Sequence, residues 1–118
     1  MMPDPTDVVL HQKSRVLEIA FSDGTRFELP CEFLRVHSPS AEVRGHGPGQ
    51  AVLQTGKQAV TITALRPVGQ YGVCPVFSDG HDSGIFTWDY LYELGLNRDR
   101  IWNEYLHKLE QAGLAPAP

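Results

Sequence analysis

Between Val16 and Phe21, the apolar residues Leu17, Ile19 and Phe21 alternate with Glu18 and Ala20, and the run ends in Ser22-Asp23-Gly24. A period of two is that of a strand with one buried face. Asp-Gly supplies the positive φ that a tight hairpin turn demands, so Arg26-Phe27-Glu28-Leu29 is the returning antiparallel strand. Pro30 can occupy the first turn of a helix without losing a needed hydrogen bond, and Phe33, Leu34 and Val36 give that short helix an apolar side.

The turn string Phe21-Ser22-Asp23-Gly24 recurs as Phe77-Ser78-Asp79-Gly80. Each copy is followed by a short strand and an aromatic-containing helix, with Phe33-Leu34 in the first and Trp88-Tyr90-Leu91 in the second. Two packed β-turn-β-α units would explain the recurrence, as would chance reuse of a common turn string.

Elsewhere the pattern predicts a flexible lead-in over 1–12, a domain over 13–113 and a tail over 114–118. Residues 38 to about 57 are rich in Gly, Pro and Ser and read as a long loop. Strands are expected over 59–68 and 71–77, with a turn near Gly69. After the 78–84 turn come a strand over 85–87 and a helix over 88–94, which Gly95 ends. For the last helix, Asn97 is the expected cap, with Leu96 stapled onto Ile101. Ile101, Trp102, Tyr105, Leu106 and Leu109 form its apolar stripe, and Gly113 and Pro116 mark its end. The fold class expected is α+β: small antiparallel sheets from hairpins, short helices and a C-terminal amphipathic helix.

At 118 residues the chain has room for one domain with a real core but not for a catalytic jelly roll as well. Its net charge of −4 argues against nucleic acid or an anionic membrane as the main partner. No basic region precedes an apolar run at the start, and no stretch approaches the ~20 apolar residues of a membrane span, so cytoplasm is the expected location. Cys31 and Cys74 form no Cys-x-x-Cys pair and read as reduced, buried thiols.

The strings Leu17-Glu18-Ile19-Ala20-Phe21-Ser22-Asp23-Gly24, Leu29-Pro30-Cys31-Glu32-Phe33-Leu34-Arg35, Phe77-Ser78-Asp79-Gly80-His81 and Trp88-Asp89-Tyr90-Leu91, in this order and spacing, resemble the gamma-butyrobetaine hydroxylase-like N-terminal domain, also called domain of unknown function 971. The resemblance covers roughly residues 10 to 96. It implies an accessory or binding module that stands alone, precedes an iron and 2-oxoglutarate dioxygenase domain, or follows an iron–sulfur carrier domain; it does not by itself imply catalysis. Zinc-bearing members carry Leu-Arg-x-x-Cys-x-Cys-x-x-Cys and Asp-Gly-His, three thiolates and an imidazole closing a tetrahedral site. Aligned on Leu34-Arg35, the thiolate positions fall on Ser38, Ser40 and Val43, and the imidazole on His81. Serine is a poor zinc ligand and valine is none, so no structural zinc is expected there.

A remodelled Zn or Fe site would have to use His81 with His37 or His46 and a carboxylate from Glu42, Asp79 or Asp82; a solvated turn histidine is the plainer reading of His81. None of the five histidines has Asp or Glu two residues on, so the local half of an iron facial triad is missing. Arg44-Gly45-His46-Gly47-Pro48-Gly49 offers backbone donors to an anion, but Pro48 removes one and no helix follows. Gly56-Lys57-Gln58 lacks the Ser/Thr and the upstream glycine of a phosphate loop. Ser38 and Ser40 flank Pro39 as in a plain turn rather than a nucleophile elbow. Cys31 near a helix start is read as an inert buried thiol, and Phe86, Trp88, Tyr90, Tyr92, Trp102 and Tyr105 as packing residues. The sequence thus points to a non-catalytic binding or adaptor module with no cofactor. A protein partner is expected to meet Arg44, His46, Asp79 and Asp82, where the 38–49 and 79–84 segments are neighbours. The alternatives are a metal-binding protein of iron or iron–sulfur handling and an accessory subunit of a separately encoded oxygenase. The oligomeric state is left open.

Overall fold

The computed structural model describes residues 3–40, 43 and 53–114. Strands β1 (Pro5–His11), β2 (Val16–Phe21) and β3 (Arg26–Pro30) form an antiparallel sheet in that order, and helix α1 (Cys31–Val36) follows. Strands β4 (Ile62–Val68), β5 (Gly72–Phe77) and β6 (Phe86–Thr87) form a second antiparallel sheet, again in order, and helix α2 (Trp88–Leu96) follows. Helix α3 (Arg98–Gln111) comes last. The architecture is the α+β class expected from the hairpin signals.

The two halves repeat one another down to single hydrogen bonds. Gly24 and Gly80 have φ of 87° and 91°, and each donates its amide to the phenylalanine three residues back, at 3.0 Å in both cases. Asp23 Oδ1 accepts from the Thr25 amide at 3.0 Å, and Asp79 Oδ1 from the His81 amide at 3.2 Å. The turn serine binds back to the residue just before the first strand in both halves: Ser22 to Asp4, Ser78 to Thr61, through its amide at 2.8 Å and its hydroxyl at 3.0 Å. The first strand shifts register at the same point, between Pro5 and Asp7 in one sheet and between Ile62 and Ala64 in the other. A bulge of this kind bends and twists the strand locally. The repeated string is therefore a repeated structural unit of three strands and a helix.

One core joins the two units. Leu17, Ile19, Phe21 and Leu29 from the first sheet pack with Ile62, Val73, Phe77 and Phe86 from the second, and with Phe33, Leu34, Leu91 and Leu94 from the helices. A smaller cluster of Val36, Tyr105 and Leu109 seats α3 beside the end of α1.

The structure departs from the sequence reading in five places. Residues Pro5–His11 are not part of a loose lead-in but a strand paired to β2 along its length. The fourth strand begins at Ile62 rather than 59. Gly95 does not stop α2; it lies within the helix because Phe27 occupies the space beside it, where a Cβ would come within 2.4 Å of the ring. Asn97 does not cap α3: its side chain donates to Glu93 O at 3.0 Å, closing the end of α2 instead. Leu96, expected to staple onto Ile101, is 60% exposed. The side-chain cap the sequence reading passed over is Thr87, whose hydroxyl accepts from the Tyr90 amide at the start of α2.

Candidate functional site

The helix of each unit reaches across to the turn of the other. Tyr92 on α2 donates to Asp23 Oδ2 at 2.5 Å, and Arg35 on α1 donates through Nε to Asp79 Oδ2 at 2.9 Å. Leu34-Arg35 stands five residues after Leu29, and Leu91-Tyr92 five after Phe86, so Arg35 and Tyr92 are counterparts. Three residues further on, Ser38 and Gly95 are counterparts too. Gly95 lies against the Phe27 ring, and Ser38 lies against Gly84, where a Cβ would come within 2.1 Å of its hydroxyl. The two crossings join matching elements with different chemistry: one packs aromatic rings around a single phenol-to-carboxylate hydrogen bond, the other is ionic and hydrogen-bonded.

The ionic crossing gathers most of the residues that the sequence singled out. Asp79 Oδ2 accepts from Arg35 and also from Lys57 Nζ at 2.7 Å. Burial alone would raise the Asp79 pKa, but Lys57, the His81 amide and Arg35 together hold it down at about 2. Arg35 is buried, and among the described residues its Nη1 has no hydrogen-bond partner. Ser38 Oγ and His81 Nε2 are hydrogen-bonded at 2.8 Å, and Ser40 Oγ and Ser83 Oγ at 2.7 Å. Ser38, Ser40, Val43 and His81 are all buried. Asp82 is on the rim, half-exposed and 3.6 Å from Arg66. Arg44 and His46 lie outside the described residues.

A cavity of about 400 Å³ opens beside this crossing, lined by His37, Ser38, Leu53, Tyr90 and Tyr105 among others. Its walls are held by two phenols: Tyr90 donates to His37 O and Tyr105 to Gln54 O, each at 2.6 Å. The size suits a small molecule or a few inserted side chains. Tyr90 and Tyr105 were read as packing residues, and sequence alone gave no sign that α3 would help to form a cavity.

His37 is not directed at His81. Its Nδ1 donates to Phe33 O at 2.8 Å, one turn back on α1. Burial pushes its pKa below the ordinary value, against a smaller upward pull from that carbonyl. The unfolded chain therefore takes up this proton first as the pH falls below about 6.5, and His37 destabilises the fold there. The stability difference between the native chain and His37→Gln is expected to narrow between pH 7.5 and pH 5 in urea unfolding; a constant difference would show that folding leaves the ring's pKa where it is in the unfolded chain.

Among the described residues, no three His, Cys, Asp or Glu side chains are grouped to hold a metal. Cys31 is buried and Cys74 is half-buried, donating to Asp82 O at 2.9 Å; both are free thiols, and burial raises the pKa of each. No helix among the described residues is long and apolar enough to cross a membrane.

Residues 8–92 match the family described as gamma-butyrobetaine hydroxylase-like, N-terminal. The chain belongs to that family. Two solution NMR structures of proteins are each 49% identical to it: one has a TM-score of 0.84 over 98% of this chain and 90% of that one, the other 0.83 over 99% and 87%. A crystal structure of a protein of unknown function from Acidithiobacillus ferrooxidans, of the domain of unknown function 971 family, is 38% identical with a TM-score of 0.68, over 80% of this chain and 98% of that one. No curated protein matches the chain.

Within this gamma-butyrobetaine hydroxylase-like domain, the positions that the resemblance assigns to zinc are Ser38, Ser40, Val43 and His81. The donor set does not fit the ion. It offers two neutral hydroxyls and an aliphatic side chain where thiolates are needed, and the one imidazole is already hydrogen-bonded to Ser38.

Proposed function

We propose that this domain is a non-catalytic binding module whose protein partner docks where the chain leaving α1 meets the 79–84 turn. The observation that carries the reading is the unequal chemistry of two otherwise matching crossings. Packing alone is served by the aromatic one, in which Phe21, Phe27 and Tyr92 meet edge to face. The other crossing concentrates Arg35, Lys57, Asp79, Ser38, Ser40 and His81, and it adjoins a cavity. Arg35, Ser38, Ser40 and His81 are buried there, and buried polar groups are costly for stability alone and are characteristic of sites.

Arg44, His46, Asp79 and Asp82 are the residues proposed to meet the partner, Asp82 from the exposed rim. The family's place as an N-terminal accessory domain supports a role without turnover, as does the lack of a facial-triad pattern in the sequence.

The test has two stages. Proteins retained from native extract by the folded chain are identified, produced separately and titrated into the 15N-labelled domain. Amide shifts are expected at Ser38–Ser40 and Asp79–Gly84, and they should vanish in Asp82→Lys with the rest of the spectrum unchanged. Shifts confined to the aromatic crossing, or turnover of a small molecule by the chain alone, would overturn the proposal.

A further inference from the structure

The zinc positions of the family are not left idle in this chain. Two ligands of a tetrahedral zinc, each about 2.0–2.1 Å from the metal, stand about 3.3 Å apart. Ser38 Oγ and His81 Nε2 stand 2.8 Å apart, the spacing of a direct hydrogen bond with nothing between them. The Ser40 amide donates to the same Ser38 hydroxyl at 3.3 Å, and the Ser40 hydroxyl joins Ser83 two residues past His81. Ser38 is 1% exposed and His81 is 5% exposed, so their bond is made away from water, where an unpaired polar group is penalised most; Ser83 holds Ser40 from the exposed edge of the turn. Gly84 closes the arrangement: any side chain there would collide with Ser38.

We infer that a hydrogen-bonded clamp, Ser38 to His81 and Ser40 to Ser83, has taken over the tethering that a metal ion gives at this place in the fold. It fastens the end of α1 to the second turn, 43 residues away, without an ion. The domain is therefore indifferent to metal supply. Ser38 touches both His81 and Ser40, and Val43 lines the same cavity as Ser38, which puts the chain three substitutions from a candidate metal centre. The inference stands apart from the binding reading, since a metal-independent clamp neither needs a partner nor excludes one.

The purified, untagged native chain is expected to hold far less than one metal ion per molecule by mass spectrometry, and EDTA is expected to leave its Tm unmoved. One ion per chain whose removal lowers Tm would overturn the inference. The variant S38C/S40C/V43C is then titrated with cobalt, with the appearance of thiolate-to-cobalt absorption as the readout. Saturation near one ion per chain, lost on further His81→Ala, supports convergence of the four positions; a folded variant that takes up no cobalt overturns it. Should that variant not fold, single-site variants decide the matter. Ser38→Ala and His81→Ala are each expected to lower Tm by about 5 °C or more, and the double variant by about as much as the larger single change. Fully additive losses would show that the two side chains do not act as a clamp.

Discussion

Asp79→Ala is expected to destabilise the domain by about 1.5–3 kcal/mol, the scale of hydrogen bonds to a charged group, because a partly exposed carboxylate is the partner of a buried guanidinium. Arg35 has only 8% of its side chain exposed, and Asp79 is its one ion-pair partner among the described residues, so loss of the carboxylate strands a buried guanidinium there. Lys57 loses the same partner, and the His81 amide loses its acceptor, which loosens the turn that presents His81 to Ser38. Urea midpoints measure the effect. Asp79→Asn keeps an acceptor for the His81 amide and should lose less, and R35M/D79A should recover part of the loss by removing the stranded cation. Asp23→Ala is the internal control: its partners are Thr25 and Tyr92, neither of them charged, and its loss should be smaller. If Asp79→Ala and Asp23→Ala cost the same, the two crossings differ only in appearance.

Acid should reproduce part of this effect. The Asp79 carboxyl ionises at about 2 in the fold, against about 3.9 in an unfolded chain, so its contribution is complete above about pH 4 and is lost as the pH falls through 2. Asp79→Ala should therefore show a flatter stability profile than the native chain across that interval.

The parts of the fold that depend on neighbours in sequence were legible from the start. Asp23-Gly24 and Asp79-Gly80 need a backbone conformation that few other residue pairs supply, and the alternation before them needs only a period count. The strand Pro5–His11 was hidden because it has two prolines nearby and faces solvent at Thr6, Asp7 and Val9. What makes it a strand is its ladder to β2, which is a tertiary fact. Asn97 carries the right atoms for a helix cap at either end, and the chain uses them on α2. In the site, Ser38 and His81 were tied together only through resemblance to a family, since no local pattern links residues 43 apart. The exchange of Arg35 and Tyr92 between the two turns was open to reading in principle, because the repeat places them at matching offsets, but the repeat had to be trusted first.

Gly95 shows what the repeat adds, and Gly95→Leu is expected to cost about 1–2 kcal/mol net. A glycine near a helix end has two physical meanings: it can take a left-handed φ to stop the helix, or it can let another group approach the backbone. Here the second holds, because the Phe27 ring has three atoms at 2.4–2.7 Å from where a Cβ would be. The ring cannot easily retreat. Phe21 lies 5.9 Å from it and Tyr92 5.5 Å, both edge-on, and Tyr92 is tied to Asp23. Leucine would gain helix propensity over glycine, worth roughly 1 kcal/mol in a helix interior, but forcing extra atoms into a packed site costs about 1–3 kcal/mol and sometimes more. The loss is expected to exceed the gain, and it should fall sharply when Phe27→Ala opens the space. Thermal unfolding of G95L, F27A and the double variant tests the coupling. If G95L is as stable as the native chain, Phe27 is free to move, and the aromatic crossing is not the fixed counterpart against which the polar one has been read.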